Sequence, residues 1–234
     1  MSKLEKGSLK LRNAWAFYDW ANSVYSLVIA SAVFPIFYGT LFNKSNIETV
    51  NLFGSQIRST PLITYTTAAA FLVVAFLSPL LSGIADYVGN KKIFMKFFCY
   101  LGAVSCMGLY SLENIYLSLF NYFLALVGFW GSLVFYNSYL PDVAFKSQQD
   151  SLSAKGFSLG YIGSVFLLLF NLIMVLKPEL FGISGEDASI QAMKISFVTV
   201  GIWWIGFSQY SFYYLPSVTG ASKKVNKDVI LNGF

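Results

Sequence analysis

The chain has 234 residues, of which 56% are hydrophobic and 12% charged, with a mean hydropathy of +0.60; a water-soluble fold cannot hide that much apolar surface. Its formal charge of +5 comes from 16 basic and 11 acidic residues, with no histidine and two cysteines outside any CxxC pair. These features exclude a disulfide framework and a histidine–cysteine metal site, and no basic soluble domain exists to carry nucleic acid.

The few charges are clustered, so six windows contain no Asp, Glu, Lys or Arg: Trp20 to Asn43, Ser59 to Ala85, Phe97 to Leu112, Asn114 to Pro141, Gly156 to Leu176 and Ile195 to Ser222. A helix that spans the hydrocarbon core needs about 20 largely apolar residues. The windows therefore predict an all-α membrane protein with transmembrane helices over about 20–43, 61–85, 93–111, 115–141, 156–176 and 195–216. Residues 1–19 and 217–234 are expected as flanking cytoplasmic segments. The third window is short, and Lys96 completes it by snorkelling. The first is too long for a signal peptide, carries Pro35 and lacks an A-x-A site, so it is read as a true span.

Twelve of the 16 basic residues fall on one side of such a topology, and Lys44, Arg58, Lys177 and Lys194 on the other. By the positive-inside rule, both termini are expected in the cytoplasm. The lipid bilayer is then the first partner. Connections are compact: Glu113-Asn114 reads as a hairpin, and the outer loops at 43–60 and 178–193 are too small to be domains.

In the first span, Asp19, Asn22, Ser23 and Ser26 fall on one helical face. Two readings stand for Asp19. It faces a bundle interior or aqueous cavity, as intramembrane polar groups usually do, or it is an interfacial residue favoured by the helix N-terminal dipole and flanked by Trp15 and Trp20. The loop after the second span contains Gly83, Asp86, Gly89, Lys91 and Lys92, where a carboxylate beside a helix C-terminus wants a cationic or N–H partner. Cys99 and Cys106 lie seven apart on one face of the third span and are read as packing residues. Near the end of the fourth span, Tyr136 and Asn137 are candidates either to line a cavity or to bond between helices, and Pro141 marks where that helix gives out. The fifth span carries Gly156, Gly160 and Gly163 on one face, a seam for close helix packing, with Asn171 near it as a further site candidate.

The loop residues Gly83, Asp86, Gly89, Lys91 and Lys92 resemble the signature of the major facilitator superfamily, departing from it at Tyr87 and Asn90, where basic residues are common. Within that superfamily, the runs Tyr18-Asp19-Trp20-Ala21-Asn22-Ser23, Tyr136-Asn137-Ser138-Tyr139-Leu140-Pro141-Asp142 and Gly160-Tyr161-Ile162-Gly163 resemble the vacuole-effluxer (autophagy-related permease) family. The resemblance runs from about Asn13 to Pro216, whereas such permeases carry about twelve helices. It implies the N-terminal half of a transporter that moves small solutes, with amino-acid efflux as the family's activity and a bacterial inner membrane as the location. It also implies that the loop around Asp86 gates access by pairing with the other half, supplied by a second six-helix unit or a second copy.

Two expectations of function follow. In one, a secondary transporter exposes a midplane site alternately between two halves, with Asp19 coupling protons or binding a substrate amine, since a carboxyl group in a low-dielectric cavity can exchange protons. In the other, the chain is an inactive truncated fragment or a membrane assembly scaffold. No nucleophile, base and orienter grouping and no phosphate-binding loop point to an enzyme, and no cofactor is expected.

Overall fold

The computed structural model describes residues 4–52, 54–88 and 90–217. Among them, six helices are long and apolar enough to cross a membrane, so the chain is an all-α membrane bundle. Helix α1 is Leu9–Lys44, α2 is Ser59–Val88, α3 is Lys91–Gly108, α4 is Ile115–Ser138, α5 is Lys146–Leu176 and α6 is Ala188–Tyr214.

Helices α1, α5 and α6 begin well before the charge-free windows they contain. A charge closes such a window without closing a helix. The 31 residues of α5 reach ~46 Å, against ~30 Å of hydrocarbon, so its first turns stand clear of the apolar layer. Local chemistry sets the ends. Asn114 starts α4 by accepting the N–H groups of Tyr116 and Leu117, at 2.9 and 3.1 Å. Helix α4 stops before Pro141, whose ring would collide with the Asn137 carbonyl in a continuous helix, and a four-residue turn, Leu140–Val143, follows.

Within α1, Tyr25–Val33 widens into a π-helix just before Pro35. Proline offers no N–H to Ser31, so the regular ladder is already interrupted there. The Ser31 hydroxyl bonds instead five residues back, to the Ser26 carbonyl at 2.9 Å.

Helix α1 packs on α5 and α6, α4 packs on α2 and α3, and α3 packs on α6. Exchanging α1 with α4, α2 with α5 and α3 with α6 leaves this pattern unchanged. Because α1 and α4 run in opposite directions, the bundle is two inverted three-helix units. Helices α2 and α5, equivalent under the exchange, are the least buried.

The structure adds one element to the all-α expectation. Strands β1 (Val50–Leu52) and β2 (Ser55–Ile57) form an antiparallel hairpin in the loop between α1 and α2. Gly54, at φ 84°, supplies its turn, and the Asn51 side chain accepts the Gly54 N–H at 3.0 Å. Ion pairs close the same end of the bundle: Lys44 with Asp187 at 2.5 Å, and Lys194 with Glu113 at 2.7 Å. The Lys194 ammonium holds the Glu113 carboxyl below the usual glutamate range.

Candidate functional site

Asp19 is 5% exposed, at the junction of α1, α4 and α5. Its Oδ2 accepts the Tyr136 hydroxyl at 3.0 Å. Tyr136 is held in turn by Trp15, whose ring stacks on it at 4.3 Å between centroids and whose Nε1 donates to the Tyr136 carbonyl at 2.9 Å. Among the described residues, the ion pairs join Lys44 to Asp187, Lys91 to Asp142 and Lys194 to Glu113, and none reaches Asp19. The site is a carboxyl group buried among aromatic rings with one phenol as its side-chain partner.

The glycines of α5 complete this site. A Cβ on Gly156 would stand 2.8 Å from Asp19 Oδ2 and 2.9 Å from the Tyr136 hydroxyl. One on Gly160 would stand 2.7 Å from the Ser23 hydroxyl, and one on Gly163 would lie 3.0 Å from the Trp20 ring. The polar stripe of α1 and the glycine face of α5 thus form one contact. Within it, Asn22 is fully buried, and its Oδ1 accepts the Ser23 hydroxyl at 3.3 Å.

The other candidates separate. Asn171 lies 15 residues beyond Gly156, ~22 Å along α5. Its Nδ2 donates to the Leu167 carbonyl at 2.8 Å, and its Oδ1 accepts the Thr199 hydroxyl at 2.9 Å, joining α5 to α6. Asn137 is exposed at the end of α4. Gly83 and Asp86 fall within α2, while the Asp86 side chain and Gly89 lie outside what is described. Lys91 opens α3 and reaches the end of α4, donating to the Ser138 carbonyl at 3.3 Å and to Asp142 Oδ2 at 3.2 Å. Lys92 is half-buried beside it.

One feature had only a faint signal in the sequence. A groove of about 570 Å³ lies between α1, α2 and α4. Its wall includes Ser26, Ser31, Thr64, Thr67, Tyr122 and Trp130. It has hydroxyl groups and aromatic surface but no charged side chain, and its size suits a small ligand. The π-helical stretch supplies Ser26 and Ser31 to that wall, and Pro35 was the sole hint of it.

The model of the family described as vacuole effluxer Atg22 like matches residues 8–234. The chain belongs to this family. Among relatives, an uncharacterized MFS-type transporter, YxiO, from Bacillus subtilis (strain 168) is 38% identical over 199 residues, covering 83% of this chain and 44% of the relative. An uncharacterized protein from Aquifex aeolicus (strain VF5) is 26% identical over 174 residues, covering 74% of this chain and 41% of its own length. The chain therefore matches less than half the length of either relative. No solved structure matches significantly. In this vacuole effluxer Atg22 like chain, the Asp19–Tyr136 pair offers a buried ionisable group and the groove offers space.

Proposed function

We propose that this chain is a six-helix half of a secondary transporter that moves a small solute through a membrane. The buried Asp19 carboxyl, bonded to Tyr136 and reached by no ion pair among the described residues, carries this reading. Intramembrane ionisable groups of this kind sit on substrate and proton pathways. The family's description as effluxers and the relative's description as an MFS-type transporter support it.

In this reading, Asp19 exchanges a proton or receives the ammonium of an amino-acid-like solute, with Asn22, Ser23 and Tyr136 in supporting roles. The exposed sides of α2 and α5 receive a second six-helix body, either the rest of a longer permease or another copy of the chain. Rocking of the two bodies then exposes the site alternately. The 12 to 4 lysine and arginine bias supports a cytoplasmic side for both termini, and the Bacillus relative favours the cell membrane of a bacterium.

The test is uptake into proteoliposomes containing the protein with its second half. Asp19→Asn removes the exchangeable charge and keeps the shape. Proton-coupled uptake is expected to fall about a hundredfold, the scale of an essential charge-bearing group. Undiminished uptake that still responds to pH overturns the assignment of Asp19.

A further inference from the structure

Residues 136–143 gather more ties than any comparable stretch described above. Tyr136 donates to Asp19, and its carbonyl accepts both Trp15 Nε1 at 2.9 Å and the Tyr139 N–H at 3.1 Å. The Tyr139 carbonyl then accepts the N–H groups of Asp142 and Val143, at 2.9 and 3.0 Å. Asp142 and the Ser138 carbonyl hold the Lys91 ammonium at the start of α3. The Tyr139 hydroxyl donates to the Pro216 carbonyl beyond α6 at 3.0 Å, and the Val143 carbonyl accepts the Gly7 N–H ahead of α1 at 2.9 Å. Hydrogen bonds joined through Tyr136, Tyr139 and Asp142 therefore run from the Asp19 carboxyl to Lys91 at the start of α3.

We propose that this end of α4 is a latch, in which Tyr136, Tyr139 and Asp142 are positioning residues that transmit the state of Asp19 to Lys91 at the start of α3. The latch rests on the reading of Asp19 as the working carboxyl. Three features fit it. Tyr136 is the only side-chain partner recorded for the Asp19 carboxylate among the described residues, so a solute ammonium or a proton arriving there competes with this bond first. The stretch contains a break in the helix, because α4 ends at Ser138 and a separate turn begins at Leu140, so a shift there need not unwind α4. The far tie is a part-exposed ion pair, with Lys91 and Asp142 side chains 18% and 37% exposed, easily broken and remade. A hydrogen-bond chain with a helix break in its middle is a physical route for coupling, and a claim of coupling needs a coupled measurement.

Hydrogen exchange supplies that measurement on the intact chain in detergent or nanodiscs, independently of transport. Tyr136→Phe removes one hydroxyl and keeps the ring that stacks on Trp15. The expected result is roughly tenfold faster exchange of the amides of Tyr139, Leu140, Asp142 and Val143 and of Ile93 and Phe94, the change that loss of a hydrogen bond to a charged group brings to a local opening. Asp19→Ala should give the same pattern, and the double variant should go no further than either single one. Amides of α3 from Cys99 to Gly108 should not change, which certifies the fold. Faster exchange confined to Tyr136 and its helical neighbours, with 93–94 unchanged, overturns the latch, as do additive effects in the double variant. Uptake by Asp19→Asn, set beside exchange in Tyr136→Phe, separates the two proposals. Lost uptake by Asp19→Asn with 93–94 unchanged in Tyr136→Phe sinks the latch alone, and undiminished uptake by Asp19→Asn sinks the role of Asp19 whatever the exchange shows.

Discussion

Two glycine seams hold this bundle together, and they differ in what the glycines face. Between α5 and α1, Gly156 and Gly160 meet the ends of polar side chains: the Asp19 carboxylate, the Tyr136 hydroxyl and the Ser23 hydroxyl. Between α4 and α3, Gly128 meets the backbone of Gly102, and Gly131 meets the ring of Phe98. Gly102 in turn leaves room for the Trp204 ring of α6. The second seam is main chain on main chain and ring, closed without an ionisable group. The first is main chain on movable polar ends at Gly156 and Gly160, giving way to the Trp20 ring and carbonyl at Gly163. Side-chain ends can rotate away while a backbone cannot, so the two seams suit different tasks: α3, α4 and α6 form a fixed wall, and the α1–α5 contact is adjustable.

The largest effect should come from the fixed seam. A methyl at Gly128 would overlap the Gly102 backbone, which has no rotamer to yield. Gly128→Ala is expected to cost about 3 kcal/mol, the upper range for overpacking a close contact. Thermal unfolding in detergent should show a large fall in midpoint. A fall no larger than that of an exposed glycine such as Gly206, beside which a Cβ would meet nothing within 4 Å, would remove the contrast.

Gly156→Ala sharpens the same comparison from the other side. The added methyl meets two side-chain ends, which can shift by a few tenths of an ångström, so the stability cost should be near ~1 kcal/mol. The geometry that shifts is the Asp19–Tyr136 bond itself. The variant is therefore expected to fold nearly as well as the parent and to lose far more uptake than stability. Unfolding midpoints beside proteoliposome uptake check this, and a loss of stability as large as that of Gly128→Ala refutes the division between seams.

How much of this was open to sequence reading depends on the range of the signal. Six helices followed from charge-free windows, because the bilayer imposes a length on each span. Gly156, Gly160 and Gly163 were visible as a seam because they repeat at helical spacing within one helix. Gly102 was not, because its reason is Gly128 on another helix. In the same way, Asp19 and Tyr136 were each legible as polar residues in apolar spans, but the bond between them joins positions 117 apart. Helix ends lie beyond the charge-free windows where lysines continue a helix past the apolar layer, as Lys146 to Lys155 do in α5. Asn171 shows the converse: a polar residue in a span whose amide is taken up by Leu167 and Thr199.

The smallest expected effect lies at the end closed by ion pairs, where the exposed Glu113 carboxylate meets the largely covered Lys194 side chain. The Glu113 carboxyl is held below its usual range by the hydrogen bond and charge of Lys194. A depressed carboxyl contributes stability above the unfolded-state value of about 4.3, and that contribution is lost as pH falls through the folded-state value. Glu113→Gln keeps an acceptor for Lys194 and removes the charge. Its unfolding midpoint should lie slightly below that of the parent at neutral pH. The two midpoints should converge below about pH 4, and also in high salt, which screens exposed pairs. A gap that persists in acid would mean that Glu113 acts through packing and not through charge. The Glu113–Lys194 pair would then resemble the buried Asp19 site in having a fixed geometry, and the contrast between a salt-bridged end and an interior carboxyl that no ion pair among the described residues reaches would lose its electrostatic basis.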